Sequence, residues 1–456
     1  MRRNLVPHNH KQPNREYQEY FSEAYREIYP SNEKGSFDIL PITFQVTENC
    51  NLACTYCYQI NKSPKRMTLD IAKRALDMIM SDNTYCKSSE KKGCILEFIG
   101  GEPLLEIDLI EEIYKYFIQK CIAENHPWLT HHRISMCSNG VLFQTEKVQS
   151  FLEKYGRSTS ISITIDGPRN LHDACRVFHD GSGSYDIVSE SVHLLQDKYG
   201  VRTTKVTIAP QNLPYLSDLV KHFVTEFQFN EINANCTFEG PWSIDDAKLF
   251  YHELKNIADY CYEHDTFHDL YISLFDESLF SPMDYSDPEN DRNWCGGTGL
   301  MIAVDPDGVF YPCIRYMPSS LGDKIPPVRI GDLDTGIAKS PCDICTCKYM
   351  DRITATSQSS DTCIHCPIAS GCAWCSGYNY QETGSMNKRV THICIMHKAR
   401  ALANAYYWNR FYEKYNIPSV HELYLPREDA VKLVGNEEYE MLQKLITNQK
   451  WKVGDR

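Results

Sequence analysis

Cys50-Asn51-Leu52-Ala53-Cys54-Thr55-Tyr56-Cys57-Tyr58 places three thiols at C-x3-C-x2-C spacing just after the strand-like run Ile42-Thr43-Phe44-Gln45-Val46-Thr47. Three thiolates on one tight loop can hold three corners of a [4Fe–4S] cluster, whereas four-thiolate ligation would fill every iron. A vacant fourth iron can bind a substrate or a cofactor.

Four further motifs follow this loop. Gly100-Gly101-Glu102-Pro103 ends the apolar run Ile95 to Ile99, and Ser138-Asn139-Gly140, Asp166-Gly167-Pro168 and His172-Asp173-x-x-Arg176 come next. Gly100 and Gly101 let backbone approach a ligand, Pro103 stiffens the exit, and Glu102 offers a carboxylate to an ammonium group. Arg176 is a planar two-pronged donor suited to a carboxylate. Ser138, Asn139 and Asp166 offer hydroxyl, amide and carboxylate groups, although such residues beside glycine are also ordinary turn formers.

Over residues 41 to 190 the order of these motifs resembles the radical S-adenosylmethionine (SAM) enzymes, whose signature is C-x3-C-x-aromatic-C, with Tyr56 at the aromatic place. The resemblance implies that Cys50, Cys54 and Cys57 ligate the cluster that binds SAM. It further implies that Gly100, Gly101 and Glu102 receive the methionine amino group, that Arg176 meets its carboxylate, and that Ser138, Asn139, Asp166 and Tyr56 complete the cofactor site.

Strand-like runs at Ile42–Thr47, Ile95–Ile99, Arg133–Cys137, Ser160–Ile165 and Lys205–Ala209 alternate with helical stretches at Leu69–Met80, Ile107–Cys121, Thr145–Tyr155 and Tyr185–Lys198. Repeated βα units imply an α/β fold with a parallel sheet, in agreement with the partial (β/α)6 TIM-like barrel of the resembled family. The motifs fall at the C-terminal ends of strands, where such barrels carry their sites. The expected divisions are an N-terminal extension (1–40, with a short helix at Tyr17 to Tyr29), the barrel (41–245), a helical linker (246–292), a Cys-rich domain (293–400) and C-terminal helices (401–456). Helices are expected at Asp245–Tyr262 and Ile395–Tyr415, and two short ones between 427 and 449.

The Cys-rich part reads Cys295-x12-Gly308-x4-Cys313, then Cys363-x2-Cys366-x5-Cys372-x2-Cys375, then Cys394. It resembles the SPASM extension of radical SAM enzymes, with x2 in the last gap of the four-Cys run where the family commonly has x3. The resemblance implies two auxiliary [4Fe–4S] clusters, making three in all: Cys295, Cys313 and Cys375 for auxiliary I, and Cys363, Cys366, Cys372 and Cys394 for auxiliary II. Auxiliary I then has three ligands, and either keeps an open iron or takes one of Cys342, Cys345 and Cys347. Zinc is the generic alternative for C-x2-C pairs. Cys86, Cys94, Cys121, Cys137, Cys236 and Cys261 read as buried structural thiols.

With 456 residues the chain can bury a large core, and a net charge of −13 argues against a general nucleic-acid binder. The N-terminus lacks the apolar core of a signal peptide and no stretch approaches a membrane span, so a cytoplasmic protein is expected. Twenty cysteines without export favour thiolate ligands over disulfides. The family resemblance implies an oxidoreductase that takes a hydrogen atom from a small ribosomally made precursor peptide. An oxidative thioether link is the first expectation. The alternatives are a peptide epimerase with Cys175 as hydrogen donor, an anaerobic sulfatase-type maturase, another C–C or C–X bond-forming enzyme, and an iron–sulfur carrier or scaffold. Ile314, where sulfatase maturases have an Asp base after the Cys matching Cys313, counts against the sulfatase type. Expected partners are the peptide, an electron donor of flavodoxin or ferredoxin type, and a separate leader-peptide-binding protein if a leader is used.

Overall fold

The computed structural model describes residues 38–293, 295–322 and 325–454. The helix expected at Tyr17 to Tyr29 lies outside them. Strands β1 (Ile39–Thr47), β2 (Gly93–Gly100), β3 (His132–Ser138) and β4 (Thr159–Ile163) pair in parallel in that order. A second parallel sheet holds β5 (Thr203–Ile208), β6 (Glu231–Cys236) and the short β7 (Tyr271–Ile272). The helices between strands are α1 (Leu69–Ser81), α2 (Ile107–Ala123), α3 (Glu146–Tyr155), α4 (Arg169–Cys175), α5 (Tyr185–Tyr199) and α6 (Leu216–Thr225). The parallel strands of the two sheets, joined by helical crossovers, make the partial barrel.

Each strand alternates in two ways. Phe44, Phe98, Ile134, Ile161 and Val206 are buried apolar side chains, and they alternate with Thr43, Glu97, Ser135, Ser160 and Lys205 along the strands. Because successive side chains point to opposite faces, the apolar set packs under the helices and the polar set faces inward. Register places Thr43, Glu97, Ser135 and Ser160 side by side, and the Thr43 hydroxyl donates to Glu97 at 2.6 Å.

The sheet does not stop at β1. Strand β8 (Ile302–Val304) pairs in parallel with the other side of β1, through Ile42↔Ile302 and Phe44↔Val304, and β9 (Val309–Tyr311), β10 (Gly331–Asp332) and β11 (Gly336–Ile337) continue antiparallel. The Cys-rich region is therefore built onto the same sheet as the first Cys loop. Helix α7 (Ile244–Glu263) is opened by a capping box between Ser243 and Asp246. It packs against α9 (Cys394–Lys414), where Tyr406 donates to Asp259 at 2.5 Å; Phe275 stacks on Tyr407 of α9 at 4.0 Å. Between them in sequence, α8 (Pro341–Met350) starts at Ser340, whose hydroxyl accepts from the Asp343 amide. The last helical stretch, Arg427–Gly454, breaks at Gly435, where φ is 80°; this is the pair of short helices expected there. Among the described residues no helix is long and apolar enough to cross a membrane.

Candidate active site

Parallel strands bring their C-terminal ends to one rim, and the sequence motifs meet there. The Cys50–Cys57 loop leaves β1 and is clipped on two sides. Gly101 N–H donates to Thr47 and Glu102 N–H to Asn49, while Ala53 and Thr55 amides donate to the Val177 and Cys175 carbonyls. A Cβ on Gly101 would sit 2.3 Å from the Asn49 carbonyl oxygen and 2.8 Å from Cys50 Cβ, so only glycine lets the two turns approach this closely. The Cys50 sulfur accepts from Leu52 N–H at 3.4 Å and from the Asn139 amide at 3.8 Å, and His179 bonds the Cys50 carbonyl at 2.9 Å.

Glu102 is 1% exposed. Its carboxylate accepts from Ser138 Oγ (2.8 Å), Asn139 N–H (2.8 Å) and Leu104 N–H (3.0 Å), which oppose the rise in pKa that burial causes. Ser138 and Asn139 thus hold Glu102 and Cys50 rather than presenting free side chains. Tyr56 donates to Asp166 and accepts from Arg176 Nη1 at 2.6 Å, with Arg176 and Asp166 3.9 Å apart. Burial raises the Asp166 pKa, and Arg176 and Tyr56 offset part of that. Asp166 Oδ1 and Arg176 Nε are buried without a partner. A buried acceptor and a buried donor left open beside the Cys loop suit a ligand bearing hydroxyl and carboxylate groups.

His172 organises this network from behind. Asp166 N–H donates to its Nδ1, and its Nε2 bonds the Ser184 hydroxyl, which donates to the Arg176 carbonyl. The bonding pattern fixes the neutral Nε2–H tautomer, and burial pushes its pKa down to about 3. Cys175 is 5% exposed, with its thiol against Thr55. Cys137 departs from the expectation of a buried thiol. It faces inward on β3, is exposed, and lies 3.6 Å from Thr164 Oγ1, because strand alternation puts it in the barrel's polar interior. Cys236 is half-buried, while Cys86, Cys94, Cys121 and Cys261 are buried.

The C-terminal thiols gather in two sets. Cys295 and Cys375 act electrostatically on Cys313, and Gly297 approaches so closely that a Cβ there would lie 2.9 Å from the Cys313 sulfur. Cys363, Cys366, Cys372 and Cys394 form the second set, in which a hydrogen bond from Cys372 lowers the Cys394 pKa. A cavity lined by Cys295, Cys372, Trp374 and Arg400 runs between the two. The Cys342-Cys345-Cys347 segment is helical. Cys342 and Cys345 are exposed, and buried Cys347 lies beside Tyr85 and Cys86. Burial raises the pKa of Cys50, Cys54, Cys313, Cys366 and Cys375.

Between Cys57 and Cys375 lies a group absent from the sequence reading. Arg315 pairs with Glu239 at 2.5 Å, sits 5.4 Å over the Tyr58 ring, and acts on Cys375, while Cys57 and Cys137 act electrostatically on Tyr58. These residues are far apart in sequence and carry no local motif.

Residues 44–219 match the Radical SAM superfamily. That superfamily implies a [4Fe–4S] cluster and SAM. The chain is 28% identical over 186 residues to the uncharacterized protein MJ0907 of Methanocaldococcus jannaschii, covering 40% of this chain and 58% of that protein. It is 23% identical to a cysteine-type anaerobic sulfatase-maturating enzyme of Clostridium novyi, covering 59% of this chain and 72% of the relative. To the radical SAM cyclopropyl synthase TigE of Paramaledivibacter caminithermalis it is 22% identical, covering 79% and 72%. Among solved structures the fold is similar to anSMEcpe with bound AdoMet and the Cp18Cys peptide, with a TM-score of 0.59 at 19% identity over 83% of this chain and 99% of that one. It is also similar to Streptococcus suis SuiB bound to precursor peptide SuiA, with a TM-score of 0.50 at 13% identity over 85% and 83%.

Proposed function

We propose that this chain is a radical SAM maturase that takes a hydrogen atom from a ribosomally made peptide and joins a Cys sulfur of that peptide to one of its carbons. In this reading Cys50, Cys54 and Cys57 hold the SAM cluster, Cys295, Cys313 and Cys375 hold auxiliary cluster I, and Cys363, Cys366, Cys372 and Cys394 hold auxiliary cluster II. When bound, cluster and SAM supply reductive cleavage of SAM and with it the means to abstract hydrogen from carbon.

The chain's own residues do the positioning. Asn139 and Leu52 N–H steady the Cys50 sulfur, and Gly101 keeps the Cys loop against Glu102. Glu102 receives the methionine ammonium group. Arg176 and Asp166 have open polar atoms for its carboxylate and the ribose. Tyr58, Arg315 and Glu239 line the space between the first Cys loop and Cys375, where the peptide would lie and from which they would exclude bulk water.

The observation that carries the thioether reading is the three-thiol composition of the Cys295, Cys313 and Cys375 set, in which Cys295 and Cys375 are the thiols that act on Cys313. Three thiolates leave one iron for a substrate sulfur. A thioether link removes two hydrogens, so the reading also needs an acceptor for the second electron, which the auxiliary sites would supply. The sulfatase maturase among the relatives and the exposed Cys137 support two further readings: two-electron oxidation of a Cys β-carbon to an aldehyde, with water supplying the oxygen and sulfide leaving, and epimerisation with Cys137 or Cys175 returning a hydrogen.

Anaerobic co-expression with any small Cys-containing peptide encoded beside this gene, in ordinary and deuterated water, separates them. Loss of two hydrogens with a fragmentation block at a Cys is expected. Unchanged mass with one deuterium gained would replace the reading by epimerisation, and loss of sulfur and two hydrogens with gain of one oxygen would replace it by sulfatase-type maturation.

A further inference from the structure

Arg389 lies five residues before Cys394 and is 8% exposed. Its guanidinium stacks on Trp374 with Cζ 4.3 Å from the ring centroid, and its Nη1 points to the Cys372 sulfur at 3.9 Å. Its Nε and Nη2 are buried with no hydrogen-bond partner, and no carboxylate among the described residues pairs with it. Its charge acts on Cys372, Cys394, Tyr285 and His397, which places it beside two thiols of the second set.

A buried donor without a partner costs about 1–3 kcal/mol and more when charged, and an uncompensated buried ion costs several. A fold that keeps such a cation supplies an anion beside it. Two other arginines near thiol sets have theirs: Arg176 faces Asp166 at 3.9 Å, and Arg315 pairs with Glu239 at 2.5 Å. Lys398, which also acts on Cys394, pairs with Asp429 at 2.8 Å. Among the described residues, the Arg389 guanidinium's one hydrogen-bond acceptor is the Cys372 sulfur. A cubane held by four thiolates is anionic and gains a further negative charge on reduction, and hydrogen bonds to its sulfurs and nearby charge set its potential.

We propose that Arg389 is the positioning residue of the Cys363, Cys366, Cys372 and Cys394 site, compensating the charge of the cluster held there and raising its reduction potential. The proposal rests on the assignment of auxiliary cluster II above. A fixed cation stabilises the reduced form more than the oxidised one, so its loss moves the potential down. Trp374 holds the guanidinium plane, and Asn293 in turn accepts the Trp374 indole N–H at 3.1 Å.

The test uses the full chain carrying Cys50→Ala, Cys54→Ala and Cys57→Ala, reconstituted anaerobically, with iron counting and a redox titration followed by electron paramagnetic resonance. Adding Arg389→Gln is expected to leave one auxiliary signal in place. The other should shift at least tenfold in its reduction equilibrium, about 59 mV downward for one electron. Arg389→Lys is expected to recover at least half of that shift. Unchanged potentials in Arg389→Gln with full iron content overturn the proposal, as does Arg389→Lys behaving like Arg389→Gln. If Arg389→Gln instead loses about four irons, retention of them by Arg389→Lys supports charge compensation and their loss overturns it. Absence of auxiliary iron before Arg389 is touched overturns the cluster assignment itself, and the proposal with it.

Discussion

His172 shows how one buried side chain sets a whole corner of the rim. It is fully buried and neutral, accepting from the Asp166 amide and bonding Ser184, which holds the Arg176 carbonyl. Burial lowers its folded pKa to about 3, below the roughly 6.5 of an unfolded histidine. The unfolded chain therefore binds the proton more readily between those values, and stability falls as pH drops through 6.5 toward 3. From pH 7.5 to 5 the loss from this residue is about 2 kcal/mol. Anaerobic denaturant titrations of the native chain and His172→Gln at both pH values should show that much less pH dependence in the variant, since Gln can keep both hydrogen bonds without titrating. At this scale the sequence spells out thiols and glycines well, because spacing alone brings Cys50, Cys54 and Cys57 together. It does not spell out Arg315, Arg389 or the inward turn of Cys137, whose partners arrive from tens to hundreds of residues away.

The elements repeat the lesson with a different cause. Strands rich in Ile, Val and Phe and the helices between them stand out, and β1 to β5 and α1, α2, α3 and α5 lie within a few residues of their expected bounds. Strand β6 does not stand out. Its sequence, Glu-Ile-Asn-Ala-Asn-Cys, has only Ile232 and Ala234 on the buried side, with Asn233 and Asn235 facing the polar interior. The segment holding Cys342, Cys345 and Cys347 becomes helix α8, capped by Ser340, which the cysteine pattern alone obscures. The contact between β1's exit loop and β2's Gly100-Gly101 turn is a demanding local fit. Gly101→Ala places a methyl group 2.3 Å from the Asn49 carbonyl oxygen. The turn must separate from the Cys loop, and iron content after reconstitution should fall by about four atoms per chain, while the C-terminal thiol sets keep theirs. Full iron content in Gly101→Ala would show that the loop adapts.

On the scale of the whole molecule, the parallel barrel and its rim follow from alternating βα units, whereas the joining of β8 to β1 has no sequence signal, since Ile302–Val304 is only three residues long. That joint governs what happens when the chain is cut. β1 reads Ile-Leu-Pro-Ile-Thr-Phe-Gln-Val-Thr and is almost wholly buried. Removing everything after residue 292 would strip away β8 and leave β1 as a bare edge, an apolar template for pairing with another chain. Such a fragment is expected to elute as oligomers or aggregates in size-exclusion chromatography even though it retains every radical SAM motif, and a monodisperse monomer would contradict this. The two halves are thus not a catalyst and an accessory that evolution could exchange freely, because each supplies the other's missing neighbour strand.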